Sequence, residues 1–398
     1  MTKLSKIQLK PGLHRESTQY EEEGKWFDGN HVRFRSGKPE NMRGYETKVS
    51  TAFDGSARDL LTYRSINNTK RAVFGTSDKL YAHNGDTITD ITPIVTAVTL
   101  ANVFGTSSGS TRVCCSDAGH GRAVGDYVYF TSTATFNAVS LSTNVYPVTS
   151  VVNSGVFTIS VTDAANATAS DVGSATFNYL LPTGNSIAVA GLGYGAAAFQ
   201  ATVCASQTRA WNEPSSADAS DIVFDISQWS LDNWGDDVIA NRSGGNIYYF
   251  DSDASTVPIR ATSITTSPIS VNSIVISPND RHLICLGANS YSPTATVSGT
   301  FDPMLVRWSD QDDRTNWVPS LTTTSGEVVL TDGTKIIGGL RSRNAVHIWT
   351  DNAMWTMQFV GPPFTFRFTP VGTNCGMIAP HAAVDYNGIS YWMGYDNF

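Results

Sequence analysis

The stretch that decides the fold of this sequence is Ala72-Val73-Phe74-Gly75-Thr76-Ser77-Asp78-Lys79-Leu80-Tyr81. It places an apolar strand before a polar turn, and an aliphatic residue followed by an aromatic one after it, which is the pattern of a β-hairpin. The same order of residue types returns at 238–248, 346–355 and 389–398. Repetition of one short unit is typical of architectures built from stacked copies of that unit.

The spacing of the copies favours a β-propeller. Tyr81 and Tyr248 lie 167 residues apart, and this separation becomes 78, or two units of 39, once the 89 residues of 94–182 are removed. The 107 residues from Tyr248 to Trp355 fit two long units or three short ones. Similar turns that contain tryptophan occur at 229–234 and 308–317. Short strands with a period of about 40 residues are typical of propeller blades, so we predict an all-β fold containing a propeller.

Residues 94–182 interrupt the pattern and are predicted to form an inserted domain. The segment is rich in Ser, Thr, Val and Ala, with an alternating strand at 127–130 and a hairpin at 146–159. We expect a small β-barrel or sandwich of about five strands. The predicted organisation is an extended N-terminal arm with an edge strand (1–50), the first part of the propeller (51–93), the inserted β-domain (94–182) and the remaining blades (183–398), the last of them incomplete.

The composition excludes several classes of protein. Turn-forming residues, including 33 Gly and 16 Pro, are scattered along the 398 residues and leave no room for long helices. A hydrophobic content of 41% supports a large core. No run of about 18 apolar residues occurs, so we expect no stable membrane insertion. The net charge of −8 disfavours tight binding to the phosphates of nucleic acids.

The spacing of cysteines and histidines indicates neither a metal nor a cofactor. The five cysteines lack the C-x-x-C spacing of zinc sites, and we interpret them as small buried thiols in a reducing compartment. The seven histidines are dispersed, without the spacings that bring two ligands to one metal. A glycine-rich run at 191–195 has its third glycine one residue early for a dinucleotide fingerprint and stands in a β context. We therefore predict no metal and no cofactor.

Clustered carboxylates are the candidates for catalysis. They are Asp236-Asp237 and the group Asp310, Asp312 and Asp313. Paired carboxylates can serve as acid and base in glycoside hydrolysis, a reaction that many propellers carry out. Their spacing departs from the Asp-box turn of sialidase-like propellers, and adjacent Asp residues in loops are commonly turn formers. No nucleophile motif accompanies them. We predict that the protein is not an enzyme and that it has no catalytic residue.

The N-terminal arm carries the residues that we predict to form an interface. Trp26-Phe27 is an aromatic anchor, and Val32-Arg33-Phe34-Arg35 alternates apolar and basic side chains on the two faces of a strand, which a Gly37-Lys38-Pro39 turn closes. The arginines fit either a basic patch or the ordinary solvent face of an edge strand. Subunits of a head-to-tail ring need two different contact patches. The interface candidates for one of them are Trp26, Phe27, Arg33 and Arg35.

Several segments together resemble the tail nozzle proteins, or tail hub and stabilisation proteins, of short-tailed bacteriophages. These segments are 26–29, 32–40, 191–195, 229–237, 361–366, 372–376 and 391–394. The run Trp229-Ser230-Leu231-Asp232-Asn233-Trp234-Gly235-Asp236-Asp237 is the most specific of them. The likeness covers 10–93 and 185–398. It implies a structural virion protein with a propeller, assembled as a homohexameric ring at the distal end of the tail, which retains the genomic DNA and then passes it during ejection.

The resemblance also implies partners and a location. The partners are further copies of the chain and other phage tail proteins, such as adaptor and fibre or needle proteins, while DNA passes through the lumen without specific binding. The location is the virion tail, after synthesis in the cytoplasm of the host bacterium. The alternative function is that of a carbohydrate-binding or glycan-cleaving propeller that contacts the host surface.

The last copy of the hairpin, at 389–398, stops one residue into its second strand. A hairpin left in that state would expose unpaired backbone groups along an apolar edge. We expect either that the natural chain continues past Phe398 or that another segment completes the blade. The strand Val32–Arg35 is the candidate for that segment.

Overall fold

The computed structural model confirms an all-β protein. It describes residues 9–15, 18, 20, 21, 24–42, 44, 51–85, 87–131, 134–183, 228–253, 260–294 and 299–395. These residues form thirty β-strands and no helix, so none of them belongs to a helix that could cross a membrane. The chain divides into two compact units, Met1–Ala52 and Phe53–Phe398.

The first unit contains two small sheets. Strands β1 (Lys10–Leu13) and β2 (Lys25–Trp26) pair in parallel, and β3 (Val32–Arg35) pairs with β4 (Lys38–Asn41) as an antiparallel hairpin. Ser36 and Gly37 both have positive φ, as a two-residue type I′ turn requires. The predicted turn at Gly37-Lys38-Pro39 is therefore wrong, because the chain has already reversed before Lys38. The strand Val32–Arg35, the candidate for completing the last hairpin, is therefore one strand of a hairpin with β4.

The second unit begins with a four-stranded antiparallel sheet, which we call blade 1. Its strands, in both chain and spatial order, are β5 (Ala57–Arg64), β6 (Lys70–Thr76), β7 (Leu80–His83) and β8 (Ile88–Asp90). A meander of four short strands follows from the recurrent polar turns of this sequence. The decisive stretch, 72–81, is the hairpin β6–β7 of this blade.

A closed barrel follows blade 1. Its strands are β9 (Ile94–Thr106), β10 (Arg112–Ser116), β11 (Tyr127–Phe130), β14 (Val145–Asn153), β15 (Val156–Ser160) and β16 (Ala169–Leu180), and the hairpin β12 (Ala134–Phe136) and β13 (Val139–Leu141) stands beside them. Five phenylalanines fill its core: Phe104, Phe130, Phe136, Phe157 and Phe177. The predicted range 94–182 contains the barrel, which has six strands instead of about five.

Four further sheets complete the described part of the second unit. Blade 2 contains β17 (Trp229–Trp234), β18 (Asp237–Arg242), β19 (Ile247–Phe250) and β20 (Thr262–Ser263). Blade 3 contains β21 (Val271–Ile276), β22 (Leu283–Asn289), β23 (Phe301–Trp308) and β24 (Gly326–Val329). Blade 4 contains β25 (Ile336–Arg341), β26 (Val346–Thr350), β27 (Ala353–Gly361) and β28 (Thr365–Thr373), and blade 5 contains β29 (Ala383–Tyr386) and β30 (Ile389–Trp392).

The blades pack in chain order through their first strands. Strand β5 contacts β17, β17 contacts β21, β21 contacts β25, and β25 contacts β29. Consecutive meanders that meet along their first strands have the arrangement of propeller blades. The barrel follows β8, the last strand of blade 1, so it lies between two blades in the sequence and not inside the loop of a single blade.

The recurring pattern marks the same place in three blades. The hairpins at 72–81, 238–248 and 346–355 are each the second and third strands of a blade. Blade 3 has the equivalent hairpin, but a linker at 290–300 separates its two strands. In the copy at 389–398, the segment Ile389–Trp392 is the second strand of blade 5, and residues 396–398 lie outside the described residues.

The two tryptophan turns are not equivalent, in contrast to the prediction. Trp229 to Trp234 form the first strand of blade 2, whereas Trp308 ends the third strand of blade 3 and Trp317 follows in a loop. Their sequences look alike because each segment contains two buried tryptophans with Asn and Asp residues nearby.

Basic side chains from blade 1 and from the segment before β20 pack on tyrosine rings of the barrel. Lys79 lies 4.6 Å above the ring of Tyr127, and Arg260 lies 4.8 Å above the ring of Tyr129. The hydroxyl of Thr183, just after the barrel, donates to the carbonyl of Ser77 at 2.5 Å. These are contacts with the outside of the barrel, whose own core is separate.

We predict that deletion of 94–182 leaves a folded propeller, because the barrel and the blades have separate cores. Circular dichroism should show a cooperative β-sheet transition in the deletion variant, at a somewhat lower temperature since Arg260 loses its aromatic partner. Loss of all cooperative β structure would show that the barrel is part of the propeller core.

Candidate functional site

Strand β17, the most specific segment of the sequence, joins blade 2 to its neighbours through side chains. Trp229 is buried, and its Nε1 donates to the carbonyl of Thr76 in blade 1 at 2.9 Å. The hydroxyl of Ser230 both accepts from and donates to the backbone of Ile274 in blade 3, at 3.0 Å in each case. Separate blades do not pair with each other through their main chains. Hydrogen bonds from side chains of one blade to the backbone of the next connect them instead.

Two carboxylates continue this connection. Asp59 of blade 1 accepts the backbone N–H of Leu231 at 3.1 Å, and Asp232 accepts the N–H of Ile276 in blade 3 at 2.8 Å. Burial raises the pKa of Asp59, and the charge of His381 opposes the shift. Burial likewise raises the pKa of Asp232, against the opposing charge of Arg341.

Blades 4 and 5 also reach β17. Arg341, at the end of β25, lies 3.4 Å from Asp232, and the Nε2 of His381 lies 3.0 Å from the carbonyl oxygen of Trp229. We call Asp59, Asp232, Arg341 and His381 the axial cluster, because they come from the first strands, or the segment before one, of four blades. The cluster holds blades together, and it also brings two carboxylates with raised pKa close to two basic groups.

A second polar group lies buried between blades 3 and 4. His282 is completely buried, its Nδ1 is hydrogen-bonded to Asp280, and its Nε2 lies 3.0 Å from the hydroxyl of Thr324. The ring of His282 packs against Phe366 of β28 with a centroid separation of 4.9 Å. An aspartate, a histidine and a hydroxyl in this order have the connectivity of a catalytic triad.

The hydroxyl of Thr324 already has three hydrogen-bond partners. It donates to Asp310 at 2.6 Å, accepts the backbone N–H of Gln311 at 2.9 Å and contacts His282. Partial burial opposes ionisation of Asp310, but the hydrogen bonds from Thr324 and from two backbone amides outweigh it and lower the pKa of this carboxyl. A hydroxyl with three partners leaves no lone pair for nucleophilic attack. The sequence reasoning missed this group, although the spacing Asp280-Arg281-His282 could have shown it.

The other clustered carboxylates form a contact between blades 1 and 2, a contact within blade 2 and a surface ion pair. Asp236 accepts the backbone N–H of Ile66 at 2.7 Å, and Asp237 is hydrogen-bonded to the hydroxyl of Tyr249. Asp312 forms an ion pair with Arg281 at the surface. The described part of the chain brings together no three His, Cys, Asp or Glu side chains that could hold a metal ion. The glycine-rich run 191–195 lies outside the described residues.

The cysteines only partly follow the prediction. Cys115 and Cys285 are buried free thiols whose pKa is raised by burial, and Cys375 is a half-buried free thiol. Cys114, however, is disulfide-bonded. The interpretation of all five cysteines as free thiols is therefore wrong for Cys114. Cys204 lies outside the described residues.

The predicted interface residues of the arm lie together in the first unit. Trp26 packs edge-on against Phe34 with ring centroids 6.3 Å apart, and Arg15 lies 5.7 Å above the ring of Phe27. Arg33 pairs across the hairpin with Glu40 at 3.0 Å, and Arg35 is exposed. Both arginines lie on an exposed two-stranded ribbon. Their part in an interface stays a prediction.

Blade 5 presents an uncovered apolar face that the sequence reasoning did not single out. Val384, Tyr386, Ile389 and Tyr391 are 58%, 69%, 58% and 55% exposed, and they form the cross-strand pairs of one face of β29–β30. The opposite face packs on blade 4, where Trp392 contacts Trp349. Among the described strands, β30 pairs with β29 only. Contiguous exposed apolar surface is a common property of protein interaction sites.

Comparison with known proteins adds little to this description. No family model and no curated protein matches the chain. Twelve chains of solved structures match, and one of them is the endosialidase of phage phi92, at 13% sequence identity. The match covers 79% of this chain and 48% of the endosialidase chain, with a TM-score of 0.23. A TM-score this low does not establish a common fold.

Proposed function

We propose that this chain is a structural protein of a phage tail, a subunit of a ring-shaped tail nozzle or hub through which genomic DNA is retained and then passed. The resemblance of 26–29, 32–40, 229–237, 361–366 and 372–376 to that family supports the proposal. The proposed ring is a homohexamer in the virion, in contact with adaptor and with fibre or needle proteins of the same tail.

The uncovered apolar face of blade 5 is the observation that carries the proposal. A protein that acts alone on a small substrate needs a cleft, whereas a subunit of an assembly needs apolar surface that a neighbour covers. The buried Asp280–His282–Thr324 group has no free hydroxyl for chemistry. The clustered carboxylates outside the axial cluster already have hydrogen-bond or ion-pair partners within the protein, such as Ile66 for Asp236, Tyr249 for Asp237 and Arg281 for Asp312.

The net charge of −8 fits a channel through which DNA moves without adhering, because acidic surface repels phosphates instead of releasing counterions from them. We predict that the purified protein binds random duplex DNA only weakly. Fluorescence anisotropy with a labelled duplex should show no saturation in the submicromolar range. A submicromolar affinity that falls steeply with added salt would contradict the proposed lumen.

The position of the chain in a particle tests the proposal directly. Particles whose tail carries an epitope-tagged copy of this chain should bind the antibody at the distal end of the tail in electron micrographs. Label on the capsid, or no label on intact particles, would contradict a tail nozzle.

A glycan-cleaving function is the second candidate, and the axial cluster favours it. Half-buried Asp59 and buried Asp232 both have a raised pKa and lie beside His381 and Arg341, and a pair of carboxylates is what glycoside hydrolysis uses. Cleavage of a host polysaccharide that is lost in the Asp59→Asn variant, while the fold is retained, would establish this function in place of the structural one.

A further inference from the structure

Each of the two carboxylates in the axial cluster bridges two blades. Asp59 accepts a backbone N–H from its own strand and that of Leu231 in blade 2, at 2.8 Å and 3.1 Å. Asp232 accepts one N–H from its own strand and that of Ile276 in blade 3, at 2.8 Å in both cases. The first strands of blades 1, 2 and 3 are therefore joined through side chains that can gain or lose a proton.

The cations beside these carboxylates are weak partners. Arg341 lies 3.4 Å from Asp232, but the arginine side chain is 40% exposed while that of Asp232 is 12% exposed, so water screens the pair. The charge of His381 acts on Asp59, yet the Nε2 of this histidine donates to the carbonyl of Trp229. The desolvation cost of an ionised carboxylate at this place therefore exceeds the attraction of its partners.

The other charged residues on the strands packed against β17 have different surroundings. Strand β21 carries no titratable side chain. On β5, Arg58 is the half-buried neighbour of Asp59. Arg64 is exposed at the far end of β5, opposite Lys70 of β6. The remaining titratable groups interact elsewhere: Tyr63 with Ser252, Arg71 with Asp253, Asp237 with Tyr249 and Arg242 with Asp126. The charges that act on the two carboxylates are those of the basic members of the axial cluster and their mutual repulsion.

We propose that Asp59 and Asp232 form a proton-dependent latch, which holds blades 1, 2 and 3 together more firmly in mildly acidic solution than at neutral pH. At neutral pH the buried negative charge favours opening of the contact, because entering water solvates the carboxylates. Protonation removes this charge, and a neutral carboxyl group still accepts N–H groups. The inference does not depend on the proposed ring.

The direction of the pH effect follows from burial. Burial raises the pKa of both Asp59 and Asp232, so the folded chain binds their protons more tightly than the unfolded chain. The stability that this proton binding contributes is present in acid and is lost as the pH rises through the raised pKa of the folded state.

Other groups respond differently to pH. Carboxyls whose pKa is lowered stay ionised between about pH 4.5 and about pH 7.5 in the folded chain. They are Asp310, Asp312, Asp351 and Asp385. Burial lowers the pKa of His347, which opposes the latch, and raises that of Asp126 in the barrel, which acts in the same direction. The latch is therefore measured as a difference between the wild type and variants.

The variants Asp59→Asn and Asp232→Asn each remove one titrating group. Both lose a hydrogen bond at every pH, so the quantity compared is the change in the unfolding equilibrium constant between about pH 4.5 and about pH 7.5, from urea denaturation. Asp351→Asn is the matched control, because Asp351 also accepts a backbone N–H, that of Thr334 at 2.8 Å, but has a lowered pKa.

Acidification should favour the folded state about tenfold more in the wild type and the Asp351 variant than in either latch variant, since one unit of pKa shift corresponds to a factor of ten. An equal response to acid in all four proteins would overturn the latch. A smaller response in the wild type than in the latch variants would also overturn it, since burial would then not be the dominant cause.

Hydrogen exchange of the wild type locates the effect and also serves if a latch variant does not fold. After correction for the intrinsic pH dependence of exchange, amides of β17 and β21 should exchange more slowly at the acidic pH, and the change should be larger than in β26. Equal changes in the three strands would show that acid acts on the whole fold and that these carboxylates form no latch. A ring that assembles normally in that case leaves the proposed function standing.

Discussion

Replacement of Trp229 by alanine is expected to lower the free energy of unfolding by about 3–5 kcal/mol. The side chain is 1% exposed and lies in the core shared by blades 1 and 2, beside Val73 and Val238. Alanine would leave a cavity there and would also leave the carbonyl of Thr76 without its donor. Urea denaturation followed by circular dichroism measures the loss.

Two further variants separate the causes of this loss. Trp229→Phe keeps an aromatic ring in the core but removes the N–H and part of the indole volume, so it should cost about 1–3 kcal/mol, less than alanine. Leu321→Ala removes a fully exposed side chain and should change stability by less than about 0.5 kcal/mol. A Trp229→Ala protein as stable as the Leu321→Ala protein would contradict the described packing of blades 1 and 2.

Gly75 provides an independent check on the same contact. A Cβ atom at Gly75 would lie 2.2 Å from Cγ of Trp229, so the indole occupies the space that any larger residue needs. Gly75→Ala should therefore be destabilising in the wild type and far less so in the Trp229→Ala background. Equal costs in the two backgrounds would show that Gly75 and Trp229 are not in contact.

Removal of one partner of the Asp280–His282 pair is the second large effect that we expect. The side chains of Asp280 and His282 are 3% and 0% exposed, and removing either one leaves its partner buried without a hydrogen bond. Asp280→Ala and His282→Ala should each lower the free energy of unfolding by about 3–5 kcal/mol. The double variant should cost clearly less than the two single losses together.

The double-mutant cycle measures this coupling directly. Asp312→Ala is the matched control, because Asp312 pairs with Arg281 at the exposed surface and such pairs contribute about 0–1 kcal/mol. Additive losses at Asp280 and His282 would contradict a direct interaction between them.

The fold could be predicted from the sequence wherever the hairpin is short. Thr76 and Thr350 end the second strands of blades 1 and 4, and each hydroxyl accepts the backbone N–H groups of the turn that follows. In blade 2, the side-chain amide of Asn241 stabilises the corresponding turn by donating to the carbonyls of Gly245 and Asn246. The hydrogen bonds of these turns require particular residue types, and so the repeated hairpin could be recognised in the sequence.

Blade 3 could not be recognised in the sequence because it lacks this short hairpin. Its second and third strands are separated by a linker at 290–300, so the short turn between an apolar strand and an aromatic pair is missing. A second repeat also marks two of the blades: Asp54-Gly55-Ser56 and Asp332-Gly333-Thr334 precede the first strands of blades 1 and 4. At both glycines φ is positive and an added Cβ would meet side chains at under 3 Å.

The site residues could be predicted far less well. The axial cluster joins Asp59, Asp232, Arg341 and His381, which are far apart in the chain and carry no local spacing. The face of blade 5 looks in sequence like any alternating strand, because Val384 and Tyr386 are ordinary core residues for a blade. Only the packing of blade 4 against the other side shows that this face is uncovered.

The mass of the purified 398-residue chain under native conditions is the most direct test of the central claim, that this is a subunit of an assembly. Native mass spectrometry should show a closed ring, with six copies of the 42.9-kDa chain as the expected species. A single copy at all protein concentrations, together with cleavage of a host polysaccharide, would contradict the claim.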